Sequence, residues 1–227
     1  MTPRELPVDL TIRFDQFPAT VKGAFVLRGA DGNPHAAELA TCSVQRIPQG
    51  PAKPIPVGDV HVNVAPGRDL FVPFEVGVAD LDPGWYLIRS ALRVDAGRTW
   101  TFGSRGFVMP WPREAVRRGV VRAGRTVRVG GLDVLLESVD MRPDCAVVTL
   151  GRPDPSGSAD MPPMIVSLTA GEATLDAVPA EARPFGPRPE PPGRWRFAFY
   201  PVPRGADRLT VLIRSGDAAR TVELSLT

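Results

Sequence analysis

Apolar residues in this chain recur at every second position, and that period points to strands throughout. Val8, Leu10, Ile12 and Phe14 alternate with Asp9, Thr11 and Arg13, so one face of an extended segment is apolar and the other polar. The same pattern returns over residues 21–28, 38–47, 57–64, 70–78, 85–94 and 99–109, with Gly, Pro, Asn and Asp between the runs. Asp95-Ala96-Gly97-Arg98 forms the turn between the last two. About seven strands are therefore expected in the first half, the count of one small β-sandwich. The 26 prolines and 22 glycines lie between short apolar runs, which suits the turns of an all-β fold better than a disordered tract. Hydrophobic residues at 43% can fill a core, and charged residues at 23% argue against wholesale disorder.

The alternation stops at Pro110-Trp111-Pro112-Arg113 and resumes at Gly119. Boundaries fall where Pro and polar residues interrupt a core pattern. The expected organisation is a sandwich over 1–111, a linker over 112–118 with Trp111 wedged between domains, and a second sandwich over 119–227. Strands in the second half are expected at 119–129, 132–139, 146–150, 164–169, 173–178, 195–200, 209–214 and 221–226. The proline-dense stretches 151–163 and 179–193 are expected as surface loops.

Residues 81–88, Leu-Asp-Pro-Gly-Trp-Tyr-Leu-Ile, hold the most specific local signal. Asp82-x-Gly84-x-Tyr86 resembles the tyrosine corner of immunoglobulin-like and fibronectin type III-like sandwiches, in which a Tyr hydroxyl folds back onto the preceding turn. Residues 127–134 are similar to the opening hairpin of bacterial immunoglobulin-like accessory domains. The resemblance implies an all-β chain of two tandem immunoglobulin-like antiparallel β-sandwich domains. Ile88 stands where antibody domains carry the strand-F cysteine, so their disulfide does not transfer. Many functions occupy this superfold, and the resemblance implies none of them.

The residues themselves assemble no catalytic site. Only His35 and His61 offer imidazoles, and no G-x-S-x-G elbow accompanies them. Cys42 and Cys145 stand alone, and neither His-x-x-x-His nor EF-hand spacing occurs. Asp31, Asp59, Asp69, Asp154 and Asp160 read as ordinary loop acids, not calcium ligands. Gly103-Ser104-Arg105-Gly106 lacks the spacing of a phosphate loop. No catalytic residue, cofactor or metal is expected. Two rivals remain: a small-ligand or glycan-binding module stacking ligand on Trp85, Trp100 or Trp195, and a hydrolase whose acids meet only in three dimensions.

Surface features carry the functional expectation. A net charge of +2 is too small to imply nucleic acid or membrane. Arg113, Arg117, Arg118, Arg122, Arg125 and Arg128 face a single acid, Glu114. Without interleaved aromatics they read as a charged shield for a linker and an edge strand. Pro184-Phe185-Gly186-Pro187-Arg188 reads as a rigid loop that formally matches a PxxP ligand. Alternation through Trp85-Tyr86-Leu87-Ile88 sends one apolar pair outward. With Tyr86 and Ile88 inward, Trp85 and Leu87 should lie on the outer face, extended by Trp100 and Phe102 and covered by the second domain or by another protein. The expectation is a non-catalytic interaction protein or accessory subunit with an unidentified protein partner, possible self-association, and no nucleic-acid or membrane role. With two lone thiols and no apolar stretch in residues 1–14, a cytoplasmic location is the expectation.

Overall fold

The computed structural model describes residues 6–48, 50–58, 60–153, 163–179 and 193–226. Asp59, Asp154, Asp160 and the 184–188 motif lie outside the described residues. Among the described residues the chain is all-β, with no helix and four antiparallel sheets. It divides into two compact units, Met1–Met109 and Pro110–Thr227.

In the first unit β1 (Val8–Gln16), β2 (Thr20–Gly29) and β6 (Asp69–Gly77) form one sheet in the order β1-β2-β6. The other sheet is built on β3 (His35–Ile47) paired with β7 (Gly84–Val94). β4 (Ala52–Pro54) and β5 (Val60–Val64) pair with the far side of β3, and β8 (Thr99–Gly103) and β9 (Phe107–Met109) with the far side of β7. Val21, Phe25, Leu27, Val72 and Phe74 from one sheet meet Leu39, Val44, Ile88 and Leu92 from the other in one core. Each such side chain contributes about 1.5–3 kcal/mol on burial. Gly23 is required where β2 passes β1, because a Cβ there would meet the Arg13 carbonyl oxygen at 2.1 Å. Pro73 sits in β6, an edge strand, where a missing donor is tolerated and discourages pairing with another chain.

The corner closes as the resemblance implied. The Tyr86 hydroxyl donates to the Asp82 carbonyl at 2.9 Å, and Arg46 Nη2 donates to the Pro83 carbonyl at 3.0 Å. Gly84 adopts φ +156°, and a side chain there would press on the Arg46 guanidinium. The strand expected over 99–109 is two strands. Ser104 N donates to the Ile88 carbonyl and Ile88 N donates to Ser104 Oγ. The hydroxyl takes a carbonyl's place in the ladder, so regular pairing lapses between β8 and β9.

In the second unit β10 (Gly119–Val129), β11 (Leu132–Met141), β12 (Ala146–Gly151) and β15 (Arg194–Phe199) form one sheet in that order. β14 (Ala173–Leu175), β13 (Ile165–Ala170), β16 (Arg208–Ser215) and β17 (Ala218–Ser225) form the other. Leu136, Val148, Leu150, Leu168, Leu209, Val211 and Ile213 fill the core between them. The strand order of the first unit is not repeated here. β10, β11 and β12 stay in one sheet, whereas the first unit changes sheet after β2.

The stretch expected as a linker, 112–118, belongs to the second unit. Val116 is buried and bridges Pro203, Arg117 N donates to the Val202 carbonyl, and Arg204 N donates to the Ala115 carbonyl. Trp111 packs edge-on against Tyr200, also of the second unit, with ring centroids 5.5 Å apart. Cys42 and Cys145 are free and buried, and burial pushes their thiols up to about 11 and about 12.

Two outcomes follow. Tyr86→Phe, which deletes one hydrogen bond and leaves the ring, should destabilise the first unit by about 1 kcal/mol in urea unfolding; an unchanged midpoint would remove the corner's structural role. Both thiols should resist a disulfide reagent in the native protein and react after unfolding, since a thiol held so high supplies almost no thiolate at neutral pH.

Candidate functional site

β7 presents its two faces differently along its length. Tyr86, Ile88 and Leu92 enter the core of the first unit, while Trp85 and Leu87 lie outside that core cluster yet are only 5% and 2% exposed. Their partners across β3 are Ile47 and Gln45. Trp100 and Phe102 do not extend this pair. They lie opposite Leu92 and Ser90, on the face that Tyr86 and Ile88 occupy, and Phe102 packs against the core. The cause is one unopposed residue. Gly97 N bonds the Val94 carbonyl to close the turn, but pairing resumes with Arg93 opposite Thr99. Arg98 is left over, and its guanidinium sits 5.0 Å from the Trp100 ring centroid. A slip of one residue turns every following side chain to the other face. Trp85 and Trp195 are buried, so neither offers an open stacking platform.

An open apolar patch lies on the other sheet of the first unit. Leu70, Val72, Phe74 and Val76 of β6 turn inward, which leaves Phe71 and Pro73 on the outer face. Phe71 is 56% exposed and lies beside Val26 in register, as Pro73 lies beside Ala24. Cross-strand ion pairs flank this centre on both sides, Lys22–Glu75 at 3.0 Å and Arg28–Asp69 at 3.2 Å. The sequence carried a signal for it: Leu70-Phe71-Val72 sets three large apolar residues in a row, and alternation must expose the middle one or the outer two.

The polar groups gather at the end of the first unit where β3 starts and β7 stops. His35 Nδ1 lies 2.6 Å from Asp95 Oδ2 and Nε2 lies 2.8 Å from Asp31 Oδ1. Hydrogen bonds donated to Asp95 and then to Asp31 raise the histidine above its ordinary value. Bonds from the Asn33 amide and His35 lower Asp31, and bonds from His35 and the Ala36 amide lower Asp95. Asp95 and Ala96 adopt φ +49° and +53°, a left-handed turn geometry that costs Ala about 1–2 kcal/mol. On the outer side of the sheet a groove of about 390 Å³ is lined by Ala36, Glu38, His61, Asn63, Arg93 and Ala96. Its charges are matched, with Arg93 bonded to Glu38 at 3.1 Å. Among the described residues no group of three or more His, Cys, Asp and Glu side chains could hold a metal ion.

Of the six arginines of that basic run, Arg117, Arg118 and Arg122 come together along one cleft and Arg113 stands apart from it. Arg117 is structural: its Nη1 donates to the Ala206 carbonyl and its Nη2 to the Leu226 carbonyl at 2.9 Å. Arg118 and Arg122 are exposed beside it along a shallow cleft of about 400 Å³ that also meets Met141 and Ser225. Arg113 is exposed and does not line that cleft. Among the described residues no helix is long and apolar enough to cross a membrane.

No family model matches this chain, and no curated protein matches it. Among solved structures it is similar to the crystal structure of the conserved domain protein from Bacillus anthracis, at 11% identity and a TM-score of 0.36. The match covers 100% of this chain and 88% of that one. A likeness this distant carries no argument about function.

Arg117→Ala should destabilise the second unit by about 2 kcal/mol, because two half-buried carbonyls lose a charged donor. Arg113→Ala should leave the melting temperature unchanged. Equal effects from the two substitutions would refute the division between a structural and a surface arginine.

Proposed function

We propose that this protein is a non-catalytic interaction protein or accessory subunit, and that a protein partner docks on the outer face of the β1-β2-β6 sheet around Phe71. The observation that carries this reading is the composition of that face: a solvent-exposed aromatic ring over an apolar strip, bounded on both sides by ion pairs. Interfaces concentrate energy in a central aromatic anchor whose polar rim excludes water. Large exposed apolar side chains elsewhere among the described residues are Phe17, Val120 and Ile165. None of them has an ion pair on each side.

The first unit reads as immunoglobulin-like. In chain order its first, second and sixth strands share one sheet, and its third and seventh pair centrally in the other. That matches the A-B-E and C-F division of such sandwiches, and the Tyr86 corner lies at the start of the strand where they carry it. The second unit is a sandwich-like partner of different strand order. Two buried unpaired thiols favour a reducing, cytoplasmic setting.

A second reading is a polar small ligand, such as a sugar, held in the groove of Glu38, His61, Asn63 and Arg93. Polar groups of both kinds, lining one groove with Ala36, Ala37 and Ala96, favour it. A panel of soluble sugars that raises the melting temperature would support it, since a ligand stabilises only by binding the native state.

The interface reading is tested at one position. A photocrosslinking phenylalanine analogue at residue 71 should give one discrete protein adduct in extracts of the source organism. With that partner purified, Phe71→Ser should weaken the complex by about 2 kcal/mol while the melting temperature stays within about 1 °C, given how exposed the ring is. Absence of an adduct at 71, or unchanged affinity in Phe71→Ser, would overturn it.

A further inference from the structure

His35 joins two turns that are far apart in sequence. Asp31 lies in the turn between β2 and β3, and Asp95 in the turn between β7 and β8. The imidazole bridges them through separate ring nitrogens at 2.8 and 2.6 Å. An ionised carboxylate only accepts, so both nitrogens must carry hydrogen for both bonds to stand. A neutral ring has one N–H and one lone pair, and that lone pair would face carboxylate oxygen. The neutral form can keep one turn or the other.

The two turns differ in what else holds them. Asp95 N donates to the Ala36 carbonyl and Ala36 N donates to Asp95 Oδ1, so the β7–β8 turn stays tied to β3 whatever the ring does. Residues 30–34 are all exposed. Asp31 bonds the Asn33 amide within its own turn, and Ala30 N bonds the Pro7 carbonyl at the turn's beginning. The His35 bond is the described side-chain contact that fixes the tip of this turn to another element.

We propose that His35 is a proton-operated latch that fastens the β2–β3 turn to the β7–β8 turn when doubly protonated and frees it when neutral. The side chain is 12% exposed, against 44% and 52% for its two acids, so solvent protons reach the cluster. The ionisable groups that meet the ring are Asp31 from its own hairpin turn and Asp95 from the facing one. Across β5 its register partner is Val64, which carries no charge. Because the carboxylates raise the folded value, the latch is fully closed below about 6.5 and opens as pH rises through that raised value. Ala36 and Ala96, the neighbours of His35 and Asp95, line the Glu38–Arg93 groove on the other side of the sheet. The latch therefore sits directly behind one end of that groove.

Nitrogen-detected NMR on the full chain tests the latch. At pH 6 both ring nitrogens of His35 should be protonated, with a midpoint above about 6.5. Exchange protection of the Asn33 amide, corrected for intrinsic rate, should be lost severalfold through the same midpoint as the turn is freed. Asp31→Asn should lower that midpoint and leave Asn33 protection flat with pH. It does so without removing the ring, so the test survives if His35→Gln folds poorly. A singly protonated ring at pH 6, a midpoint at or below about 6.5, or Asn33 protection indifferent to the His35 titration would each overturn the proposal.

Discussion

The first unit hangs on β7, the strand buried on both faces at its beginning. Gly84 through Ile88 are all inaccessible, and the strand pairs with β3 on one side and with β8 and β9 on the other. A strand in that position cannot slip, because a displacement of one residue would exchange core residues Tyr86 and Ile88 with Trp85 and Leu87. The corner pins its starting point twice, through the Tyr86 hydroxyl on Asp82 and the Arg46 guanidinium on Pro83. Ser104 then bonds Ile88 and interrupts the neighbouring strand. The register set at Tyr86 carries along the strand to Val94, where it places Asp95 against Ala36 and His35.

Much of this was legible because side-chain alternation is a local property. The spans of β1, β2, β6, β7 and β10 follow from it within a residue or two, and Asp82-x-Gly84-x-Tyr86 marked the corner. What alternation omits is phase between strands. Trp100 and Phe102 alternate as expected on β8, yet the unopposed Arg98 turns them to the core side. Residues 112–118 look like a linker because no local pattern records that Arg117 will reach the carbonyls of Ala206 and Leu226. Strand order in the second unit is hidden for the same reason. β13 and β16 pair across residues that alternate perfectly well without any partner specified.

The candidate sites divide along the same line. Phe71 was available from sequence, since Leu70-Phe71-Val72 cannot bury all three residues in a half-buried strand. Its rim was not, because Lys22 meets Glu75 and Arg28 meets Asp69 only through the β2–β6 register. Trp85 and Leu87 drew notice by the same reasoning about adjacent apolar residues, and they are buried outside the first unit's core cluster. The difference between the faces lies in what flanks them. Phe71 stands on a three-stranded sheet, beside Val26 and between charged positions at Lys22, Glu75, Arg28 and Asp69. Trp85 and Leu87 stand on the wider sheet, beside Ile47.

His35 had only the standing of a turn histidine in the sequence, since Asp31 is near it and Asp95 is remote. The fold changes its character by closing two hairpins onto one ring. A histidine with one acidic neighbour keeps that bond in either protonation state by choosing a tautomer. With a carboxylate on each nitrogen it loses that choice, and the count of bonds must follow the count of protons. The left-handed turn at Asp95 and Ala96 makes the arrangement directional. That turn is conformationally costly and is held by the Asp95 amide on the Ala36 carbonyl and the Ala36 amide on Asp95 Oδ1, so Asp95 is the anchored acid. Asp31, on an exposed turn with fewer ties, is the acid that can leave, and loss of one proton moves that side of the bridge.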